Sequence, residues 1–125
     1  MKSILSTLRL SFCLIIVFAA CQPASPFDEK LLVGSWEVKE WKIEKTGKLV
    51  KNKMDMSYQA DSTYIIDYGP KSESGKYWLA GDLLHTEETD RAEKTVKIIK
   101  LTAEHMEMKM NRGGQMEHVI LAKKK

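Results

Sequence analysis

The chain has 125 residues, with 20 Lys and Arg against 17 Asp and Glu, a formal net charge of +3, and two cysteines. That length suffices for one hydrophobic core and excludes a second sizeable domain. Cys13 and Cys21 are too few for a disulfide framework, and no basic run interleaved with aromatics points to nucleic acid as a partner.

Lys2 and Arg9 precede an uncharged apolar run from Leu10 to Ala20, the layout of a secretion signal. A membrane-spanning helix needs roughly 20 apolar residues, and Gln22-Pro23-Ala24-Ser25-Pro26 does not continue one, so cleavage after Ala20 is expected. The small pair Ala19-Ala20 before Cys21 resembles the lipobox of bacterial lipoproteins, with Phe18 where a leucine is usual. The resemblance implies that Cys21 is acylated and becomes the partner of a membrane. Gln22 in place of Asp after the cysteine implies, by likeness to enterobacterial sorting, an outer-membrane address, periplasmic or external. Cys13 leaves with the signal, so the mature chain has no disulfide. Loss of Lys2 and Arg9 leaves eighteen basic against seventeen acidic residues, a net +1. The chain therefore divides into a signal (1–20), a lipidated cysteine with a proline-containing linker (21–30), and one domain (31–125).

In that domain Asp28-Glu29-Lys30-Leu31-Leu32 reads as a short helical turn, capped by Asp28 and ended by Gly34, that plugs the region beside the first strand. From Ser35 the pattern has period two. Trp36 and Val38 share one parity and Trp41 and Ile43 the other, which predicts a β-bulge near Lys39-Glu40. Leu49-Val50 is a short segment after a turn at Thr46-Gly47-Lys48. Met54, Met56 and Tyr58 alternate with polar residues; beyond a turn at Asp61-Ser62, Tyr64, Ile66 and Tyr68 repeat the alternation. Ser74 to Leu79 and Leu83 to Thr86 form a hairpin about Gly81. Glu87 to Lys94 reads as a charged loop and Thr95 to Leu101 as a β-branched strand. Met106, Met108 and Met110 alternate up to a turn at Asn111-Arg112-Gly113-Gly114. Gln115 to Leu121 then returns, with Val119 and Leu121 assigned to the inside, and Lys123-Lys124-Lys125 reads as a solvated tail. The expected fold is all-β: an antiparallel up-and-down barrel of eight or nine strands, which leaves no sheet edge exposed.

Leu32-Val33-Gly34-Ser35-Trp36 resembles the Gly-X-Trp start of lipocalins, and especially the compact lipocalin-like domains of Bacteroidetes-type lipoproteins. Asp61-Ser62-Thr63-Tyr64, Ser74-Gly75-Lys76-Tyr77 and Ile99-Lys100-Leu101-Thr102 followed by Met106-Glu107-Met108 fit the same pattern in order. The resemblance covers about Leu31 to Leu121. It implies that Trp36 packs across the closed end of the barrel and that Gly34 permits tight chain entry. In such domains an arginine often lies over that tryptophan; here the matching end has lysines such as Lys123.

The chemistry is sparse. No nucleophile elbow, phosphate-cradling loop or catalytic cysteine is present, and Asp and Glu alternate with Lys along the strands as on a solvated face. His85, His105 and His118 lie on different segments, so neither a metal nor any other cofactor is expected. The expected role is non-enzymatic binding of a small apolar or amphipathic ligand by a monomer. Met54, Met56, Tyr58, Tyr64, Tyr68, Tyr77, Met106 and Met108 are the candidate lining: methionines adapt to varied shapes and tyrosine hydroxyls meet a polar end. Eight strands enclose little space, so the alternative is a filled barrel acting through its surface as an interaction module or inhibitor.

Overall fold

A computed structural model describes residues 25–89 and 91–125. The expected signal and Cys21 lie outside the described residues. Eight strands follow one another: β1 (Gly34–Ile43), β2 (Asp55–Tyr58), β3 (Thr63–Asp67), β4 (Ser72–Ala80), β5 (Leu83–Glu88), β6 (Glu93–Leu101), β7 (His105–Arg112) and β8 (Gln115–Lys123). Each pairs antiparallel with the next and β8 returns to β1, which closes the barrel.

The predicted bulge is present. The β1–β8 register shifts between Val38 and Glu40, so Trp36 and Trp41, of opposite parity in sequence, both turn inward. The Leu49-Val50 segment makes only an isolated bridge, Leu49 to Lys42, which is why the count is eight and not nine. Two readings are corrected at the turns. Glu87 to Lys94 is strand at both ends, because β5 runs to Glu88 and β6 starts at Glu93, and only the four positions between them form the connection; Glu93 meets His85 at 2.5 Å. The last hairpin turns on Gly113 and Gly114 alone, at φ +60° and +88°, the left-handed pair that a two-residue turn requires.

The up-and-down order puts the entry to β1 and the exit of β8 at one end. That end is sealed. A short 3-10 helix, Glu29–Leu32, is capped by Asp28, whose carboxylate accepts from the Lys30 amide at 3.0 Å. It ends at Val33, not Gly34; Gly34 opens β1 at φ +133°, a conformation that favours glycine. Leu32 and Trp36 are fully buried, and the Trp36 indole N–H donates to the Leu32 carbonyl at 2.9 Å. Lys123 Nζ lies 5.0 Å above the Trp36 ring and donates to the Leu31 carbonyl at 3.2 Å, so a lysine occupies the place expected of an arginine. The lysine run is therefore not wholly a free tail: Lys124 also pairs with Asp55 at 3.5 Å. Within the linker segment Ser25 Oγ donates to the Gly81 carbonyl at 2.6 Å, and Phe27 packs against the core. Residues 25–125 thus include all eight strands and the sealed end.

Inward residues fill the lower barrel in layers, as alternate positions of each strand must. Tyr58 and Tyr77 meet edge to face at 5.0 Å, a favourable arrangement for aromatic quadrupoles. Met106, Leu121 and Val119 are completely buried, which bears out the inward parity of Val119 and Leu121.

Candidate functional site

The opposite end receives the β1–β2, β3–β4, β5–β6 and β7–β8 connections and stays open. β1 pairs with β2 only from Gly34 to Glu37. Beyond that, residues 44–54 form a long connection, tied back where the Val50 amide donates to the Trp41 carbonyl at 2.8 Å. The early separation of β1 from β2 widens the mouth. A cavity of about 590 Å³ opens there, lined by Trp41, Asn52, Met54, Tyr68, Lys94 and Thr95, with Val96, Met110, Asn111 and Arg112 completing the wall. Sharing Met54, Val96 and Met110 with it is a recess of about 90 Å³, bounded further by Met56, Tyr58, Ile66, Leu84 and Met108 and, on its polar side, by Glu73 and Thr86. The interior is packed at the sealed end and hollow towards the mouth: Met54, Met108 and Met110 leave a void rather than closing on one another.

Two buried carboxylates stand in opposite walls. Glu73 on β4 is 7% exposed and accepts from the Tyr64 hydroxyl at 3.0 Å, from the Tyr68 hydroxyl and from Lys94 Nζ at 3.4 Å. Burial alone pushes a carboxyl up, but here the two tyrosine hydroxyls and the Lys94 ammonium outweigh it, and Glu73 titrates below its ordinary value. Burial and the adjacent carboxylate push the Tyr64 and Tyr68 hydroxyls up, so they remain protonated donors. Glu117 on β8, 1% exposed, accepts from the Trp41 indole at 2.6 Å, from Arg112 Nη1 at 3.4 Å and from the Gln115 amide at 3.5 Å. The Arg112 guanidinium lies 5.3 Å above the Trp41 ring, within cation–π range. Both carboxylates are satisfied from below and beside, and their cations extend into the opening: the side chains of Lys94 and Arg112 are 59% and 53% exposed.

The sequence-derived candidates separate along the barrel axis. Met54, Met56, Tyr58, Tyr68 and Met108 line the mouth or its recess. Tyr64 stands behind them with its hydroxyl on Glu73. Tyr77 and Met106 are placed elsewhere: Tyr77 donates to the Gln59 carbonyl at 2.8 Å near the sealed end, and Met106 is fully buried with no face on the cavity. Gly34 and Trp36 are at the sealed end. Sequence reasoning missed Glu73, Lys94, Arg112 and Glu117: it started the strand at Ser74, read Lys94 in a loop and Arg112 in a turn, treated charged strand residues such as Glu117 as a solvated face, and left Trp41 out of the site. Among the described residues no group of three or more His, Cys, Asp and Glu is placed to hold a metal ion.

A family model for the lipocalin-like domain matches residues 32–108, from the sealed end through the first half of β7. The chain belongs to the lipocalin-like domain family. Two solved structures have the same fold. A lipocalin-like protein from Bacteroides uniformis superposes with a TM-score of 0.56 at 16% identity, covering 75% of this chain and 99% of the other. An uncharacterized protein from Bacteroides eggerthii does so with a TM-score of 0.56 at 17% identity, covering 74% of this chain and 99% of the other. No curated protein matches the chain. The lipocalin-like barrel supports a ligand-binding role, and the mouth is where this barrel has room for a ligand. β8, which supplies Glu117, lies beyond the matched stretch.

Proposed function

We propose that this lipocalin-like domain is the binding part of an envelope lipoprotein, tethered to the outer membrane through acylated Cys21. It takes up one small apolar or amphipathic molecule in the barrel mouth, as a monomer and without catalysis. The observation that carries this reading is the cavity of about 590 Å³ at the open mouth, which shares Met54, Val96 and Met110 with a recess of about 90 Å³. Pockets that bury a small ligand have volumes of roughly 300–1,000 Å³, apolar walls and a few convergent polar groups. Here Met54, Met56, Met108 and Val96 supply the apolar wall, and Lys94, Arg112, Asn52 and Asn111 the polar rim. Flexible thioethers let such a wall fit more than one shape.

The test is a titration of residues 25–125 with the neutral dye N-phenylnaphthylamine, whose fluorescence rises in an apolar site. Saturable binding at one site is expected, together with its loss in Met110→Trp, where the larger ring occupies the opening. A circular dichroism spectrum matching the parent establishes that the variant is folded. Absence of saturable binding to the folded parent, or equal binding by the folded variant, contradicts the reading.

A further inference from the structure

We propose that the mouth selects amphiphiles with an anionic head, held between Lys94 on β6 and Arg112 on β7, with the apolar tail directed into the methionine recess. This rests on the reading of the mouth as a ligand site and deepens it. Lys94 and Arg112 both line the outer cavity, and among the described residues no Asp or Glu does. Their carboxylate partners lie deeper: Glu73 and Glu117 are 7% and 1% exposed, whereas the lysine and arginine side chains are more than half exposed. Each pair is neutral overall, but each is oriented with its positive end towards the opening.

The alternative occupant, a cationic head, has to reach the carboxylates, and both are already enclosed by donors. Glu73 has two tyrosine hydroxyls and Lys94; Glu117 has the Trp41 indole, Arg112 and Gln115. A cation entering either cradle displaces a native donor and strands it, whereas an anion finds donor groups unused. The Arg112 guanidinium has five N–H donors, of which Nη1 makes a contact of 3.4 Å to Glu117, and the Lys94 ammonium is held at 3.4 and 3.5 Å. Both contacts are long for charge-assisted hydrogen bonds, which run about 2.7–2.9 Å. The cations are therefore free to close on a ligand without abandoning Glu73 and Glu117. Asn52 and Asn111 add amide groups to the same rim. The recess, about 90 Å³, has room for on the order of three water-sized groups, so it takes the end of a slender chain and not a fused ring system.

The experiment compares decanoate, decanol and decylammonium, which share a chain and differ in the head, by their displacement of N-phenylnaphthylamine from residues 25–125. Decanoate is expected to bind about tenfold or more tightly than decanol, the gain of one charge-assisted hydrogen bond. Lys94→Gln with Arg112→Gln is expected to abolish the preference for decanoate over decanol, read as the ratio of the two affinities in the same variant. Raising the salt concentration is expected to weaken decanoate alone in the parent protein, a readout that needs no variant. Equal affinity for decanoate and decanol, or tightest binding of decylammonium, overturns the head selection while the ligand site stands. Absence of dye binding and of displacement by all three overturns both.

Discussion

Trp41 on β1 donates its indole N–H to the buried carboxylate of Glu117 on β8 at 2.6 Å, although 76 positions separate them in sequence. The bond braces the mouth where β1 has lost β2 as a neighbour. It also supplies the shortest of the contacts that satisfy Glu117, which is 1% exposed. Trp41→Phe keeps a ring in place and removes the donor. Leaving a buried charged acceptor short of a partner costs about 1–3 kcal/mol, and urea unfolding of the variant is expected to show a loss of that size. An unchanged midpoint contradicts the assigned role.

Glu73 links stability to acid. The unfolded chain takes up a proton at this carboxyl near its ordinary value of 4.5, and the folded chain only at lower pH. Protonation therefore favours the unfolded state. The contribution of Glu73 is complete above the unfolded value and is lost as the pH falls through the folded one. Urea midpoints of the parent and Glu73→Gln, followed from neutral pH into acid, are expected to converge at the acid end. Glu37 and Asp61 also titrate low, but both proteins share them and the difference isolates Glu73. A constant gap across the range speaks against the cradle of Tyr64, Tyr68 and Lys94.

At Gly75 the backbone of β4 leaves no room for a side chain against β5. A β-carbon placed there meets the Glu87 carbonyl oxygen at 2.0 Å and the Glu88 α-carbon at 2.9 Å, and both are backbone atoms with no freedom to move aside. Gly75→Ala is expected to force the two strands apart, at the cost of about 1–3 kcal/mol that overpacking usually carries. Thermal unfolding followed by circular dichroism reads this directly, and a melting temperature equal to the parent's contradicts the clash.

Much of this arrangement is legible in the sequence. Gly34 and Trp36 point to the sealed end, the parity switch from Trp36 to Trp41 predicts the bulge, and alternating methionines and tyrosines trace the inner wall. The mouth was harder to read because its defining residues are charged. Glu73 shares parity with Tyr77 and Leu79, Lys94 with Val96 and Ile98, Arg112 with Met110, and Glu117 with Val119 and Leu121. The inward signal was present, but a carboxylate or ammonium on an inward position looks like a solvated residue until its partner on another strand is known. Trp41 reaches Glu117 only through barrel closure between β1 and β8, and Tyr64 reaches Glu73 through the β3–β4 pairing. Tyr77 and Met106 illustrate the converse: alternation correctly assigns them inward and says nothing of their height along the axis.

The proposed anchoring through Cys21 has its own test. Cys21→Ala in the full chain is expected to abolish acylation and leave the protein unprocessed or soluble, as read by fractionation and by the mass of the mature form. Normal processing with unchanged membrane retention contradicts the anchor.

Native mass spectrometry of the protein purified from its host envelope tests the central claim most directly. A single small molecule retained per parent chain and absent from folded Met110→Trp is the result expected of a mouth that binds an amphiphile. A parent chain as bare as the variant, under conditions that preserve other non-covalent complexes, contradicts it.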